Sequence, residues 1–156
     1  MTDADYMRLA IAKAKEGIAA GQSPFGAVIA CDGRVVATAH NSVWRDNDPT
    51  AHAEINAIRR AAQALGRIGL RGATMFTTCE PCPMCLAATH WAKITRVAYG
   101  ATIADAATAG FSELSVDAKR LASMGGSPVQ IESGLLEAEC RALFHLWKEA
   151  GLGQSY

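Results

Sequence analysis

The chain has no excess of either charge: Lys plus Arg and Asp plus Glu number 15 each, and no block of like charge interrupts the balance. That argues against a surface dedicated to nucleic acid, whose phosphates demand a basic stripe or patch. Nor does any run approach the roughly 18 consecutive apolar residues of a spanning helix, and no charged leader precedes an apolar stretch near Met1. The expectation is a cytoplasmic protein without a membrane partner. Repeats, low-complexity tracts and linker-like segments are missing too. The 156 residues, half of them apolar, therefore read as one domain over 1–156 with a sizeable core. Cysteines are few, five in all, yet three fall within the seven residues from Cys79 to Cys85. Such clustering points to metal binding and core packing in a reducing compartment and away from a disulfide framework.

Two short stretches carry the chemistry, His52-Ala53-Glu54 and Cys79-Glu80-Pro81-Cys82-Pro83-Met84-Cys85. A catalytic zinc takes three nitrogen or thiolate ligands and keeps one position open, and His52, Cys82 and Cys85 supply that set. Glu54, two residues from a ligand, is left over as a proton carrier. An HxE with a downstream PCxxC is the signature of zinc nucleobase deaminases. Blander readings compete with this one. A CxxC pair can be a redox dithiol, although that motif needs no HxE thirty residues upstream. It can also be half of a structural zinc site with Cys79 as fourth ligand, but Cys79 reads as the end of a strand, where burial as a small apolar residue is favoured. Glu54 alone would pass for a first-turn acid facing the helix dipole.

Along the chain, Tyr6, Leu9, Ile11, Ala14 and Ile18 recur at helical spacing from Thr2 to about Ala20. Ala27–Cys31 and Arg34–His40 flank an Asp32-Gly33 turn and predict a hairpin. The polar run 41–50 predicts a loop, and Ala51–Leu65 a helix with His52 and Glu54 in its first turn. A strand over Ala73–Thr78, a turn over Cys79–Pro83 and a helix over Met84–Lys93 would bring Cys82 and Cys85 to one face. Two helix starts then converge on the metal, and their positive ends favour thiolate and carboxylate. Strands at Arg96–Ala101 and Val129–Glu132, with helices at Leu114–Met124 and Leu135–Glu149, complete the pattern. The fold class predicted is α/β, a three-layer α/β/α sandwich on a mixed sheet of about five strands.

These motifs resemble the cytidine deaminase-like superfamily, and within it the chain is most similar to bacterial guanine deaminases. Phe25-Gly26-Ala27-Val28, Asn41, the run Asp48 to Glu54 and the run Thr78 to Cys85 all match the family pattern. The stretch Asp105 to Glu113, DAATAGFSE, resembles the guanine-deaminase loop that ends in Gly-Phe and two acids, with Ser112 in place of the first acid. The resemblance implies Glu113 as a second catalytic carboxylate, Asn41 as a hydrogen-bonding partner of the base, and Phe25 and Trp91 as walls. Plain core packing is the competing reading for those two aromatics. It further implies that the terminal Tyr156, nine residues after Trp147, folds over a purine. A domain-swapped homodimer, in which one chain's C-terminal segment closes the other's site, is implied in the same way.

Zinc held by the three ligands would acidify a water, and Glu54 would relay protons to ring nitrogen N3 and then to the departing amine, converting guanine to xanthine and ammonia. Another aminopurine or guanosine is the nearest alternative substrate. A tRNA adenosine deaminase fits the neutral charge less well, and a non-catalytic zinc-binding module would leave Glu54 without a task. His90 and His145 read as structural residues, and His40, beside Asn41, is assigned neither way.

Overall fold

The computed structural model describes residues 1–151 and 155. Helix α1 (Asp3–Ala19) starts where Thr2 and Asp5 cap each other's backbone N–H. Strands β1 (Gly26–Cys31) and β2 (Arg34–His40) form a hairpin through Asp32 and Gly33, both at positive φ, the geometry a two-residue connection needs to match the strand twist. The run 41–50 holds one turn of helix, α2 (Val43–Asp46), where only a loop was expected. Helix α3 (Ala53–Leu65), strand β3 (Thr74–Cys79), helix α4 (Pro83–Trp91) and strand β4 (Arg96–Ala101) follow close to their expected bounds.

Beyond β4 the chain departs from expectation. The stretch expected as the Asp105 to Glu113 loop begins as helix α5 (Ile103–Ala109). Thr102 and Asp105 make a second capping box, with Thr102 N donating to Asp105 Oδ2 at 2.8 Å, and Gly110 closes the helix in the left-handed region at φ 109°. Helix α6 runs Ala118–Met124 and does not reach back to Leu114, because Asp117 caps it by accepting from Arg120 N at 2.8 Å. Strand β5 (Gln130–Glu132) and helix α7 (Glu137–Glu149) end the described elements.

The five strands make one mixed sheet in the order β2-β1-β3-β4-β5. β1 is antiparallel to β2 and β3, whereas β3, β4 and β5 are parallel. Helices α1 and α7 cover one face; α3, α4 and α6 line the other. Adjacent residues of β3 record this division. Phe76 stacks on Tyr6 of α1 at 5.0 Å between ring centroids, while Thr77 hydrogen-bonds Glu54 of α3, as alternation along a strand dictates. Two strand glycines let helices approach where a methyl could not. A Cβ at Gly26 would lie 2.1 Å from Ala10 O, and one at Gly100 would lie 2.2 Å from Cys140 Sγ on α7. Among the described residues no helix is long and apolar enough to cross a membrane.

Candidate metal centre and catalytic site

Parallel strands β3 and β4 point their carboxyl ends at the same rim of the sheet, the usual place for a site in an α/β fold. There β3 runs into the loop carrying Cys82. Cys82 is the N-cap of α4, and His52 is the N-cap of α3. Neither uses its side chain to cap its helix, and both side chains point at a common centre. Cys85, in the first turn of α4, joins them.

His52 Nδ1 lies 3.7 Å from Cys82 Sγ and 3.5 Å from Cys85 Sγ. Zinc bonds of about 2.0 Å to nitrogen and 2.3 Å to sulfur, at a tetrahedral angle, place those atoms about 3.5 Å apart. The donors therefore stand at ligand spacing. The two thiols differ in acidity. Cys82 is pulled down to about 4, chiefly by its hydrogen bond with Cys85 and then, against the cost of burial, by His52. Cys85 is pushed well above the usual thiol range by the same pairing and by burial. The pair thus gives up one proton readily and holds the second until a metal cation displaces it. Donor type, spacing and acidity all fit zinc. Cys79 is not in the cluster: it is 4% exposed, and its Sγ donates to Thr102 O at 3.5 Å, the buried role expected for it.

Glu54, on the first turn of α3, is 5% exposed. Burial raises its carboxyl above the ordinary range, and Thr77 Oγ1 donates to its Oε1 at 3.2 Å. Glu113 lines a cavity of about 210 Å³ together with His52, Cys82, Met84, Ser112 and Leu114. Its carboxyl is pushed up to about 7, first by burial and then by the Cys82 thiolate and Glu54. Its Oε2 is buried and finds no hydrogen-bond partner among the described residues. An unpartnered acceptor on a residue that lines a cavity is suited to donors on a ligand.

The other expected residues divide. Asn41 is fully buried, and its side-chain oxygen accepts from Val43 N at 3.1 Å. Phe25, 8% exposed, packs edge-on to Phe111 and Phe144 at centroid distances of 4.9 and 5.9 Å, which is core packing beneath the segment that carries Glu113. Trp91 is 78% exposed, so the core reading fails for it. As the last residue of α4 it stands roughly 13 Å along the axis from Cys82, at about 1.5 Å rise per residue. It lines a different groove, with Leu86, His90 and Leu121. Tyr156 lies outside the described residues. His40 Nδ1 is 2.6 Å from Asn41 O, and His90 Nδ1 is 3.0 Å from Ser127 Oγ.

Asn56, which no motif flags, ties the end of β2 to the start of α3. Its amide nitrogen lies 3.1 Å from His40 O, 2.9 Å from Ser42 Oγ and 3.2 Å from Ala51 O. Its place one turn after His52 was the sole hint in the sequence.

A mixed α/β sheet with an imidazole and two thiolates at two helix starts, and a buried carboxylate beside them, defines a zinc-dependent hydrolytic domain. The chain belongs to the family described as the cytidine and deoxycytidylate deaminase zinc-binding region, whose model matches residues 1–101. It is 47% identical over 114 residues to the guanine deaminase of Bacillus subtilis, spanning 72% of this chain and 73% of that one. It is also 47% identical over 96 residues to the tRNA-specific adenosine deaminase of Agrobacterium fabrum, covering 62% of this chain and 63% of the relative. A solved structure from studies of A-to-I editing by tRNA:A34 deaminases superposes with a TM-score of 0.78 at 37% identity, over 89% of this chain and 98% of that one.

Proposed function

We propose that this deaminase acts on guanine, hydrolysing it to xanthine and ammonia. The observation that carries the reading is Glu113, a half-buried residue that lines the cavity shared with His52 and Cys82 and whose Oε2 is buried and unpartnered among the described residues. Guanine presents an amino group and a protonated ring nitrogen side by side, and a carboxylate accepts from both. A site built for such paired contacts discriminates strongly against bases that lack them. The similarity to the guanine deaminase of Bacillus subtilis supports the same choice.

His52, Cys82 and Cys85 would hold a zinc ion, which would supply the Lewis acidity that makes a water nucleophilic near neutral pH. Glu54 would carry one proton from the attacking water to N3 of the base, then take the second from the oxygen newly bonded to C2 and pass it to the departing amine, leaving xanthine and ammonia. Burial suits it to this work, since it raises the carboxyl above its ordinary range and so favours the proton-holding form a carrier must pass through. Glu113 holds the amino edge of the purine, and Asn41, just past the end of β2, contributes a hydrogen bond to the base. Phe25 serves the site through Phe111. Trp91 as a wall and Tyr156 as a cover over the purine are carried from the family resemblance alone. The same holds for the homodimer that exchanges C-terminal segments; in the chain described, α7 packs on its own β4 and α1.

A second reading, a tRNA adenosine deaminase, is favoured by the equal identity to the Agrobacterium fabrum relative. Ammonia release measured over guanine, guanosine, adenine, cytosine, cytidine and an adenosine-bearing anticodon stem-loop separates the two. Guanine is expected to be fastest. Faster release from the stem-loop overturns the reading, and faster release from guanosine moves it to the nucleoside.

A further inference from the structure

Glu80 sits in the metal-binding loop, two residues before Cys82, and is 5% exposed. None of the ion pairs among the described residues includes it. A buried carboxylate without a cation is costly unless hydrogen bonds replace its water. Two backbone donors do so. Oε2 accepts from Ile103 N at 3.1 Å and Oε1 accepts from Ala118 N at 2.8 Å. These are the opening residues of α5 and α6. One side chain therefore fastens both ends of the segment 103–118, and that segment carries Phe111, Ser112 and Glu113. The loop is itself pinned, since Glu80 N donates to Ala101 O at the end of β4 at 2.8 Å.

We propose that Glu80 is a positioning residue that fixes Glu113 relative to the metal ligands and thereby sets selectivity for the base. The proposal rests on the reading of Glu113 given above. The metal loop and the substrate carboxylate become one unit, joined by a clamp whose length neither α5 nor α6 can set alone. Glutamine at position 80 keeps one acceptor but turns an amide N–H toward one of the two backbone N–H groups, so one end of the segment is released.

Two measurements on Glu80→Gln, each against the wild-type zinc-loaded protein, test this. Amide hydrogen exchange is expected to accelerate within 103–118 by roughly ten- to a hundredfold, the range for losing a hydrogen bond to a charged group. Exchange in α3 and α4, and the zinc content, should stay at wild-type levels. In steady-state kinetics KM for guanine should rise more than kcat falls. Combined with Glu113→Gln, the Glu80 substitution should add less than about a twofold further loss in kcat/KM, because a residue that acts through another has no effect once that other is removed. Wild-type exchange rates within 103–118, exchange accelerated throughout the chain, or losses that multiply in the double variant would each overturn the proposal.

Should Glu80→Gln not fold, Ala118→Pro removes the donor from the helix side. Proline is favoured at the first helical position, and Asp117 at φ −55°, ψ 132° already has the backbone a residue before proline adopts. The same confined acceleration is expected there, and its absence refutes the clamp. If the wild-type protein releases no ammonia from guanine, the substrate reading fails separately, and the exchange measurement alone decides whether Glu80 holds the segment.

Discussion

Glu54 and Glu113 are both carboxyls withdrawn from water beside the same three ligands, yet different kinds of structure hold them there. Glu54 stands on the first turn of a thirteen-residue helix, with β3 behind it supplying Thr77. Glu113 stands on a connection between two seven-residue helices, tethered through Glu80 and through Phe111 wedged among Phe25, Phe144 and Trp147. The first lies inside the 1–101 span that the family model matches, and the second lies beyond it. On the proposed reading the reaction is built on regular elements shared by relatives with different substrates, whereas the grip on the base would hang from an irregular segment free to differ. This is the familiar division between a rigid scaffold and functional loops, here with the loop tied back to the metal-binding turn.

The comparison can be broken most severely at the ligands. His52→Ala or Cys82→Ala is expected to lose zinc by elemental analysis and to lose all turnover, while Cys79→Ala keeps its zinc. Metal loss in Cys79→Ala with retention in Cys82→Ala would redraw the centre. Next in size, Glu54→Gln should keep its zinc and lose turnover by about a hundred- to ten-thousandfold, the usual contribution of a general acid–base group. That loss should be equal for every base the enzyme accepts. Glu113→Gln sharpens the contrast: kcat/KM for guanine should fall by roughly ten- to a hundredfold, and the ratio between guanine and adenine should fall with it. An unchanged ratio would place base selection elsewhere.

The smallest effect is on stability in chelator-treated protein. The Glu113 carboxyl stands at about 7, above its ordinary 4.5. Between those pH values the folded chain keeps a proton that the unfolded chain has released, so stability falls as pH rises through the window and is level on either side. Glu113→Gln removes that share of the slope. Thermal melts should find the variant more stable above pH 7 by on the order of 1 to 2 kcal/mol, or a few degrees, with the advantage gone below about pH 4.5. Glu54, raised by burial in both proteins, contributes its own slope to each.

How much of this could be read in advance follows the same boundary. His52, Cys82, Cys85 and Glu54 announce themselves because their chemistry lies in short spacings, and the capped helices and hairpin of the first hundred residues follow local turn and periodicity signals. Helix α5 had its own signal, the Thr102 to Asp105 capping box, but the family resemblance drew that stretch into a loop. Glu80 was visible only as a letter in a motif, because its partners lie 23 and 38 residues away and nothing local marks a contact of that range. For Trp91 the competing reading of core packing fails: the buried residues of α4, Cys85, Leu86 and Thr89, lie on another face of the helix, and the ring is left exposed beside Lys93, whose Nζ lies 5.7 Å from its centroid.

The close approach of Gly100 and Cys140 offers a clock for the C-terminal helix. The Cys140 thiol is 1% exposed, burial lifts it to about 12, and it lies flat against a strand position that has no side chain. No alkylating reagent can reach it until α7 lifts from β4, so the rate at which Cys140 is labelled counts those departures. An exchange between two subunits that included α7 would pass through the same departure. A single thiol, timed against subunit mixing, would thus report whether the last helix ever leaves the sheet on which it folds.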